Sequence, residues 1–553
     1  MIYPKIPLAQ SVIEICLAKG VTNIIISPGS RNAPLTIGFG SNPNFKCYSI
    51  ADERCAAFFA MGMAQQLKKP TALVCTSGSA LLNYYPAVAE AFYSQIPLIV
   101  ISADRPPHKI DIGDGQTIRQ ENVYANHILY SANLTLEASA ENDDKINNAI
   151  NSALINKGPV HINVPFEEPL YDTVEELSVQ PKVFDTVLEN NFFNEEDLQH
   201  YIDIWNNAKK KLVLVGVNPP NTIDEAIIKQ LAKDPSVVVM TETTSNLHDA
   251  SFISNIDVFI TPFTDKDFEA YRPEILVTFG GMVVSKRVKA WLRKYSPQEH
   301  WHIDELRAYD TYSALTKHFK VDPDTFLNSF LSNVQQVQSE YNAKAQQLKA
   351  FRKEKSEKYL SEIPFSDLKV FEKVLAALPN NIQLQISNSA GIRYAQLLDI
   401  NSTIEVFCNR GTSGIDGSTS TAVGAALASG KETILISGDI SFLYDSNALW
   451  NSYIPKDFKI IIVNNSGGGI FRILPGHQEN SVFNTYFETS HSHTAAHLAK
   501  MFGFGYYTAD NESSLEIALE SFLERTGQPK ILEIFTPTTE NNKILKEFFK
   551  QLI

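Results

Sequence analysis

An α/β protein built as three doubly wound parallel-sheet domains is the fold class this chain predicts, and three observations carry the prediction. Short β-branched runs alternate with helix-like segments, two polar stretches interrupt that alternation, and the first and last thirds of the chain repeat one order of features.

The runs are VTNIIIS (21–27), TALVCTS (71–77), IPLIVIS (96–102), KLVLVG (211–216), SVVVM (236–240), EILVTFG (274–280), TILIS (433–437) and KIIIVN (459–464). Each is nearly continuous instead of alternating, as parallel strands covered by helices on both faces require. Most end in Gly, Ser or Asn ahead of a helical pattern, which makes the repeating unit βα. The interruptions are an acidic stretch at 168–195 and a Gln-, Lys- and Glu-rich stretch at 335–362, the latter reading as an exposed helix. Domains are therefore expected near 1–175, 190–335 and 363–553, in keeping with a chain of 553 residues. Residues 58–88 and 420–449 share a small-residue helix, a basic turn, a strand, Ser-Gly and a second helix, so the outer domains are expected to be duplicates.

A net charge of −14, from 48 Lys+Arg against 62 Asp+Glu, opposes nucleic acid or an anionic membrane as a partner. Anionic ligands then need local clusters of cations. Cys16, Cys47, Cys55, Cys75 and Cys408 show no CxxC spacing and read as reduced core residues. With no leader-like start and no run long enough to span a bilayer, the cytoplasm is the expected location.

Ligands of open α/β sheets bind beyond the carboxyl ends of the strands, and two strand ends here carry unusual chemistry. Asp439 follows TILISG, and Asn464 and Asn465 close KIIIVNN, which puts the second asparagine 26 residues after the aspartate. A carboxylate and an amide oxygen suit Mg²⁺ or Ca²⁺ and not zinc. Gly467, Gly468 and Gly469 let backbone approach closely, so a diphosphate bridged by a divalent ion is the reading that uses every group. Taken alone, the same residues also fit a loop in which Asp439 caps a helix. Arg31, Arg105, Arg393 and Arg410 each follow a strand-like run in Gly-, Ser-, Pro- or Asn-rich surroundings, where a guanidinium can grip a carboxylate with two bonds.

Gly-Asp with Asn-Asn at this distance resembles the metal and diphosphate motif of thiamine-diphosphate-dependent enzymes. That resemblance covers the whole chain and implies pyrimidine-binding, central and diphosphate-binding domains in that order. It implies that Asp439, Asn465 and the Gly467 carbonyl hold Mg²⁺ (or Mn²⁺), and that Gly438, Ser441 and Asn465 contact the cofactor. It further implies that Ile415 props the cofactor into its bent form, and that Glu53, in SIADERCAAFFAMGMA, is the catalytic carboxyl at the aminopyrimidine ring. The cofactor of this family lies between two subunits, so a homodimer or a dimer of dimers is implied.

SPGSRNAP (27–34), DERCAAF (52–58), ADRPP (103–107), GQTIRQ (115–120), NRGTSGIDG (409–417), GDISFLYDSNAL (438–449) and NNSGGGIF (464–471) are similar to one branch of that family. The branch decarboxylates 2-oxoglutarate and adds the remaining unit to isochorismate in menaquinone biosynthesis. Ser30, Arg31, Arg105, Gln116 and Lys286 match its isochorismate positions, and Ser389, Arg393 and Arg410 those around the 2-oxoglutarate-derived part. Ile440 stands where many relatives of the wider family have glycine, and the Asp-to-Asn spacing is about one residue short. Alternatives are a pyruvate-type decarboxylase, disfavoured because no His-His pair occurs, an acetolactate-type synthase, and a non-catalytic diphosphate-binding scaffold.

Overall fold

The computed structural model describes residues 2–185, 195–473, 476 and 478–553. β1 (Tyr3–Pro4) is a short edge piece. β2 (Asn23–Ile26), β3 (Lys46–Ser49), β4 (Thr71–Cys75), β5 (Leu98–Asp104), β6 (Ser131–Asn133) and β7 (Val160–Pro165) form a parallel sheet in the order β3-β2-β4-β5-β7-β6. β8 (Thr173–Val174) returns antiparallel to β1.

The central sheet holds β9 (Lys211–Val215), β10 (Val237–Met240), β11 (Ile275–Phe279), β12 (Glu299–Ile303) and β13 (Lys317–Phe319), in the order β10-β9-β11-β12-β13. The last comprises β14 (Gln383–Ile386), β15 (Glu405–Phe407), β16 (Thr433–Gly438), β17 (Lys459–Asn464), β18 (Gly505–Ala509) and β19 (Lys530–Phe535), ordered β15-β14-β16-β17-β19-β18. All three sheets are parallel throughout, so the predicted α/β class holds. Every predicted run became a strand, and every residue of β4, β5, β9, β10, β11 and β17 is buried.

First and third sheets share one strand order, and their Glu53–Leu67 and Ser418–Ser429 helices pack directly on each other. The crossing is close because glycine faces backbone on both sides. A Cβ on Gly62 would lie 2.1 Å from the Thr421 carbonyl oxygen, and one on Gly424 would lie 2.0 Å from that of Phe59. Alanines 56, 57, 60, 422, 425 and 426 line the same seam, fully buried or nearly so.

Two linker expectations change. The stretch 335–362 is a helix over Tyr341–Glu362, but not a merely exposed one. Tyr341 and Ala345 enter the central core and Leu360 that of the third sheet, since apolar positions about one turn apart share a face. Of 168–195, the part up to 185 folds back on the first unit: the Lys182 and Phe184 amides donate to the Asp143 carboxylate and the Asn147 amide oxygen. Residues 186–194 lie outside the described ones.

Candidate active site

β16 and β17 are parallel neighbours with Gly438 opposite Val463, so Asp439 and the Asn464–Asn465 pair leave the sheet on one rim. Asp439 opens the short Asp439–Tyr444 helix and is buried. Its Oδ1 accepts the Ile440 N–H at 2.7 Å and its Oδ2 the Gly467 N–H at 3.0 Å. Burial nevertheless pushes its carboxyl up to about 6, against the opposing pull of those backbone donors. His491 places Nε2 3.3 Å from Oδ2, and its ring stacks on His493 at 5.5 Å between centroids. The sequence, searched for adjacent histidines, does not reveal this pair two residues apart.

Asn464 is spent on structure, since its Nδ2 donates to Glu533 at 2.7 Å. Asn465 is different. Its Nδ2 donates to the Asp367 carboxylate at 3.0 Å, which fixes the amide's orientation and leaves Oδ1 buried with no hydrogen-bond partner. An orphaned amide oxygen beside a buried carboxylate is the donor set of a hard divalent cation. No cluster of three His, Cys, Asp or Glu side chains that would suit zinc gathers among the described residues. The third donor named from sequence, the Gly467 carbonyl, accepts the Gly469 N–H at 3.0 Å, while the Gly467 N–H faces Asp439. Only glycine fits at 467, where φ is 155° and a Cβ would come 2.8 Å from the Glu488 carbonyl.

Gly438 has open space where a Cβ would stand. Ser441 donates its hydroxyl to the Ile415 carbonyl at 2.6 Å and so ties the 409–417 loop to the Asp439 helix. Ile415 is not a core residue: 36% of it is exposed. A residue the sequence did not single out, Glu90, holds this loop from the first unit. Its buried carboxylate accepts the N–H groups of Gly411 and Thr412, each at 2.6 Å, and of Ser413 at 3.3 Å.

The four arginines sit beyond strand ends and form two pairs. Arg31 donates to the Phe166 carbonyl at 3.1 Å and to Glu168 at 2.9 Å. Arg105 donates to the Gly115 carbonyl at 3.1 Å and lies 3.9 Å from the same Glu168 oxygen. Exposed Ser30 and Gln116 flank this pair, and the Gln116 carbonyl accepts the Ser77 hydroxyl at 2.9 Å. Arg410 donates to the Asn388 Oδ1 at 2.7 Å, and Arg393 to the Ser389 carbonyl at 2.5 Å. Burial first and the Arg410 charge second pull the Arg393 guanidinium below its ordinary value.

Lys286 is exposed at the start of the Lys286–Lys294 helix. Its neighbour Lys289 feels the charges of the buried Glu242, of Arg410 and of Lys286 itself. Glu242 accepts the Val284 and Ser285 N–H groups at 2.6 and 2.8 Å, and burial pushes it up to about 7. No hydrogen bond or ion pair links one arginine pair to the other among the described residues.

Glu53 begins the Glu53–Leu67 helix, capped by the Asp52 carboxylate accepting the Cys55 N–H. Burial, and less so the Asp52 charge, raises its carboxyl above the usual range, and no other residue among those described bonds to it. Among the described residues no hydrogen bond or ion pair joins Glu53 to Asp439, Asn465 or Gly467, although its neighbour Arg54 donates to the Tyr444 carbonyl at 2.7 Å. A cleft of about 730 Å³, between the central sheet, the Tyr341–Glu362 helix and residues 397–402, is lined by Glu242 but not by Glu53, Asp439, Asn465 or Gly467.

Three family models match in series: the N-terminal thiamine pyrophosphate-binding domain at 6–125, the middle domain of thiamine pyrophosphate enzymes at 187–386, and the C-terminal thiamine pyrophosphate-binding domain at 389–534. Fold and rim together thus define the class, a three-part thiamine pyrophosphate enzyme. Curated relatives called 2-succinyl-5-enolpyruvyl-6-hydroxy-3-cyclohexene-1-carboxylate synthase include one from Flavobacterium johnsoniae, 67% identical over all of both chains. Others come from Christiangramia forsetii, 51% identical over 99% of both, and Porphyromonas gingivalis, 38% identical over 96% of this chain and 94% of the relative. The chain belongs to the family of these synthases.

Proposed function

We propose that the protein decarboxylates 2-oxoglutarate and joins the remaining four-carbon unit to isochorismate by 1,4-addition. The products are 2-succinyl-5-enolpyruvyl-6-hydroxy-3-cyclohexene-1-carboxylate and CO₂, in menaquinone biosynthesis. Full-length identity of 67% to a synthase of that name carries the reading.

Thiamine diphosphate, when bound, supplies a carbon nucleophile and accepts the electrons released as CO₂ departs. Asp439, the free Oδ1 of Asn465 and the Gly467 carbonyl would hold Mg²⁺ (or Mn²⁺), and Gly438, Ser441 and Ile415 would contact the cofactor. Glu53 holds a proton toward the pyrimidine ring, a task served by burial that favours its neutral form. Arg393, Arg410 and Ser389 take the carboxylates of 2-oxoglutarate, and Arg31, Arg105, Ser30, Gln116 and Lys286 those of isochorismate.

The working unit is a homodimer or a dimer of dimers, in which the Glu53 rim of one copy meets the Asp439 rim of another. Exposed Tyr444, Trp450, Val482, Tyr486 and Phe487 give the third unit an apolar surface that a second copy would cover. Five unpaired thiols suit a reducing cytoplasm, and no helix among the described residues is long and apolar enough to cross a membrane.

The test incubates purified protein with thiamine diphosphate, Mg²⁺, 2-oxoglutarate and isochorismate, with pyruvate in parallel, and reads product mass. We expect product from 2-oxoglutarate and a loss on the order of 10²–10⁴-fold in Glu53→Gln. Turnover with pyruvate alone would overturn the substrate assignment.

A further inference from the structure

We propose that Glu168 determines specificity at the first-unit rim: its carboxylate holds Arg31 and Arg105 as a tethered stand-in for a substrate carboxylate and yields them when that carboxylate arrives. The proposal rests on the reading that this pair receives isochorismate.

Both guanidinium groups are set in place before any ligand binds. The Arg31 side chain is 4% exposed and that of Arg105 19%, each anchored on a backbone carbonyl, Phe166 or Gly115. In both, the buried Nε has no acceptor. Asp104, buried nearby, feels the Arg31 charge; among the described residues the carboxylate that forms an ion pair with both is that of Glu168, whose side chain is 61% exposed and reaches Arg31 at 2.9 Å and Arg105 at 3.9 Å through a single oxygen. Such a largely solvent-exposed partner is weakly held, whereas the buried arginines are fixed by their backbone carbonyls.

The neighbouring residue keeps the backbone in position. Glu167 accepts from Lys109 at 2.7 Å and lies 3.5 Å from His108, so the segment stays pinned to the 105–115 loop while the Glu168 side chain alone rotates. An entering carboxylate finds the same donors, but it must first displace one already there. A ligand with a single carboxylate merely exchanges one anion for another. One with a second anionic group gains a further contact on the released pair, and this favours dicarboxylates.

The experiment is steady-state kinetics of the Mg²⁺- and thiamine diphosphate-loaded enzyme with each substrate varied. In Glu168→Gln the KM for isochorismate is expected to fall about fivefold, the scale of releasing a partly exposed ion pair, with no change in that for 2-oxoglutarate. Glu168→Ala should move the same way. An unchanged or raised isochorismate KM in both variants overturns the proposal. Arg31→Met separates the two levels: an isochorismate KM raised about tenfold or more upholds the reading of the arginine pair whatever Glu168 does. If Arg31→Met leaves that KM unmoved, the reading fails and the proposal with it.

Discussion

The first and third sheets are one design used twice, with different side chains at the ends of corresponding strands. Both run in the same strand order, and corresponding strands end in different groups. β4 leads into Ser77 and Gly78, whose hydroxyl and N–H are taken up by Gln116 and Gln120, while its counterpart β16 delivers Asp439. β5 is followed by Arg105, whereas β17 is followed by Asn465 with its free Oδ1. At these two pairs of strands the first rim presents a serine and an arginine, and the third an aspartate and an amide oxygen with no hydrogen-bond partner. The difference lies wholly in side chains at strand ends, which shows how a duplicated scaffold acquires complementary halves without a change of topology.

Removing the cation-holding group should break that contrast most. Asp439→Ala deletes the one charge of the donor set and should abolish Mg²⁺-dependent binding of thiamine diphosphate, with activity down about 10³-fold or more. Fluorescence titration of the protein with cofactor, with and without Mg²⁺, reads it.

Glu90→Gln tests whether the halves support each other, because a first-unit carboxylate holds the third unit's 411–413 backbone. Turning an amide N–H toward those donors should cost about 1–3 kcal/mol in urea unfolding and raise the KM for 2-oxoglutarate through Arg410.

The glycine seam tests the pseudo-symmetry itself. Gly62→Ala and Gly424→Ala each gain up to about 1 kcal/mol of helix propensity, yet each should lower Tm, since overpacking costs about 1–3 kcal/mol and the contacted atom is backbone. Calorimetry giving clearly unequal losses would show that the two sides of the crossing are not equivalent.

A last contrast between the units concerns pH. Asp445 joins the units by accepting the Ser420 N–H and O–H and the Cys55 thiol, and burial pushes its carboxyl up to about 6 from 3.8. A raised carboxyl contributes stability that is complete below about 3.8 and is lost as pH rises through about 6. Asp445→Asn should therefore gain on the parent by about 2–3 kcal/mol between pH 4 and pH 7. Chemical denaturation at the two pH values measures it.

How far the sequence carried the reading varies from strand to strand. The eight apolar runs were legible because parallel strands buried on both faces leave a continuous apolar trace. β7, VHINVP, was not, although it is fully buried. Its His161 bonds Ser102 at 2.7 Å, and its Asn163 bonds Ser102, Gln120 and Asp104. A polar network satisfied inside the sheet reads in one dimension as a loop. β14, QLQI, escaped because two buried glutamines interrupt its apolar trace.

The site divides in the same way. Asp439, Asn465, Arg105 and Arg410 were legible because a strand followed at once by a polar residue is a local pattern. Glu90, Asp367, Glu168 and His491 were not, for each acts on a group far along the chain. The sequence by itself determined the parallel strands, their two copies and the residues presented at their carboxyl ends, since these follow from local hydropathy and strand–turn order. Only the tertiary structure decided that Asp367 turns the Asn465 amide 98 residues away, that Glu90 supports a loop 321 residues on, and that Glu168 occupies Arg31. Such pairings are chosen by packing and by the need to satisfy buried polar groups, and neither leaves a periodic mark on the chain.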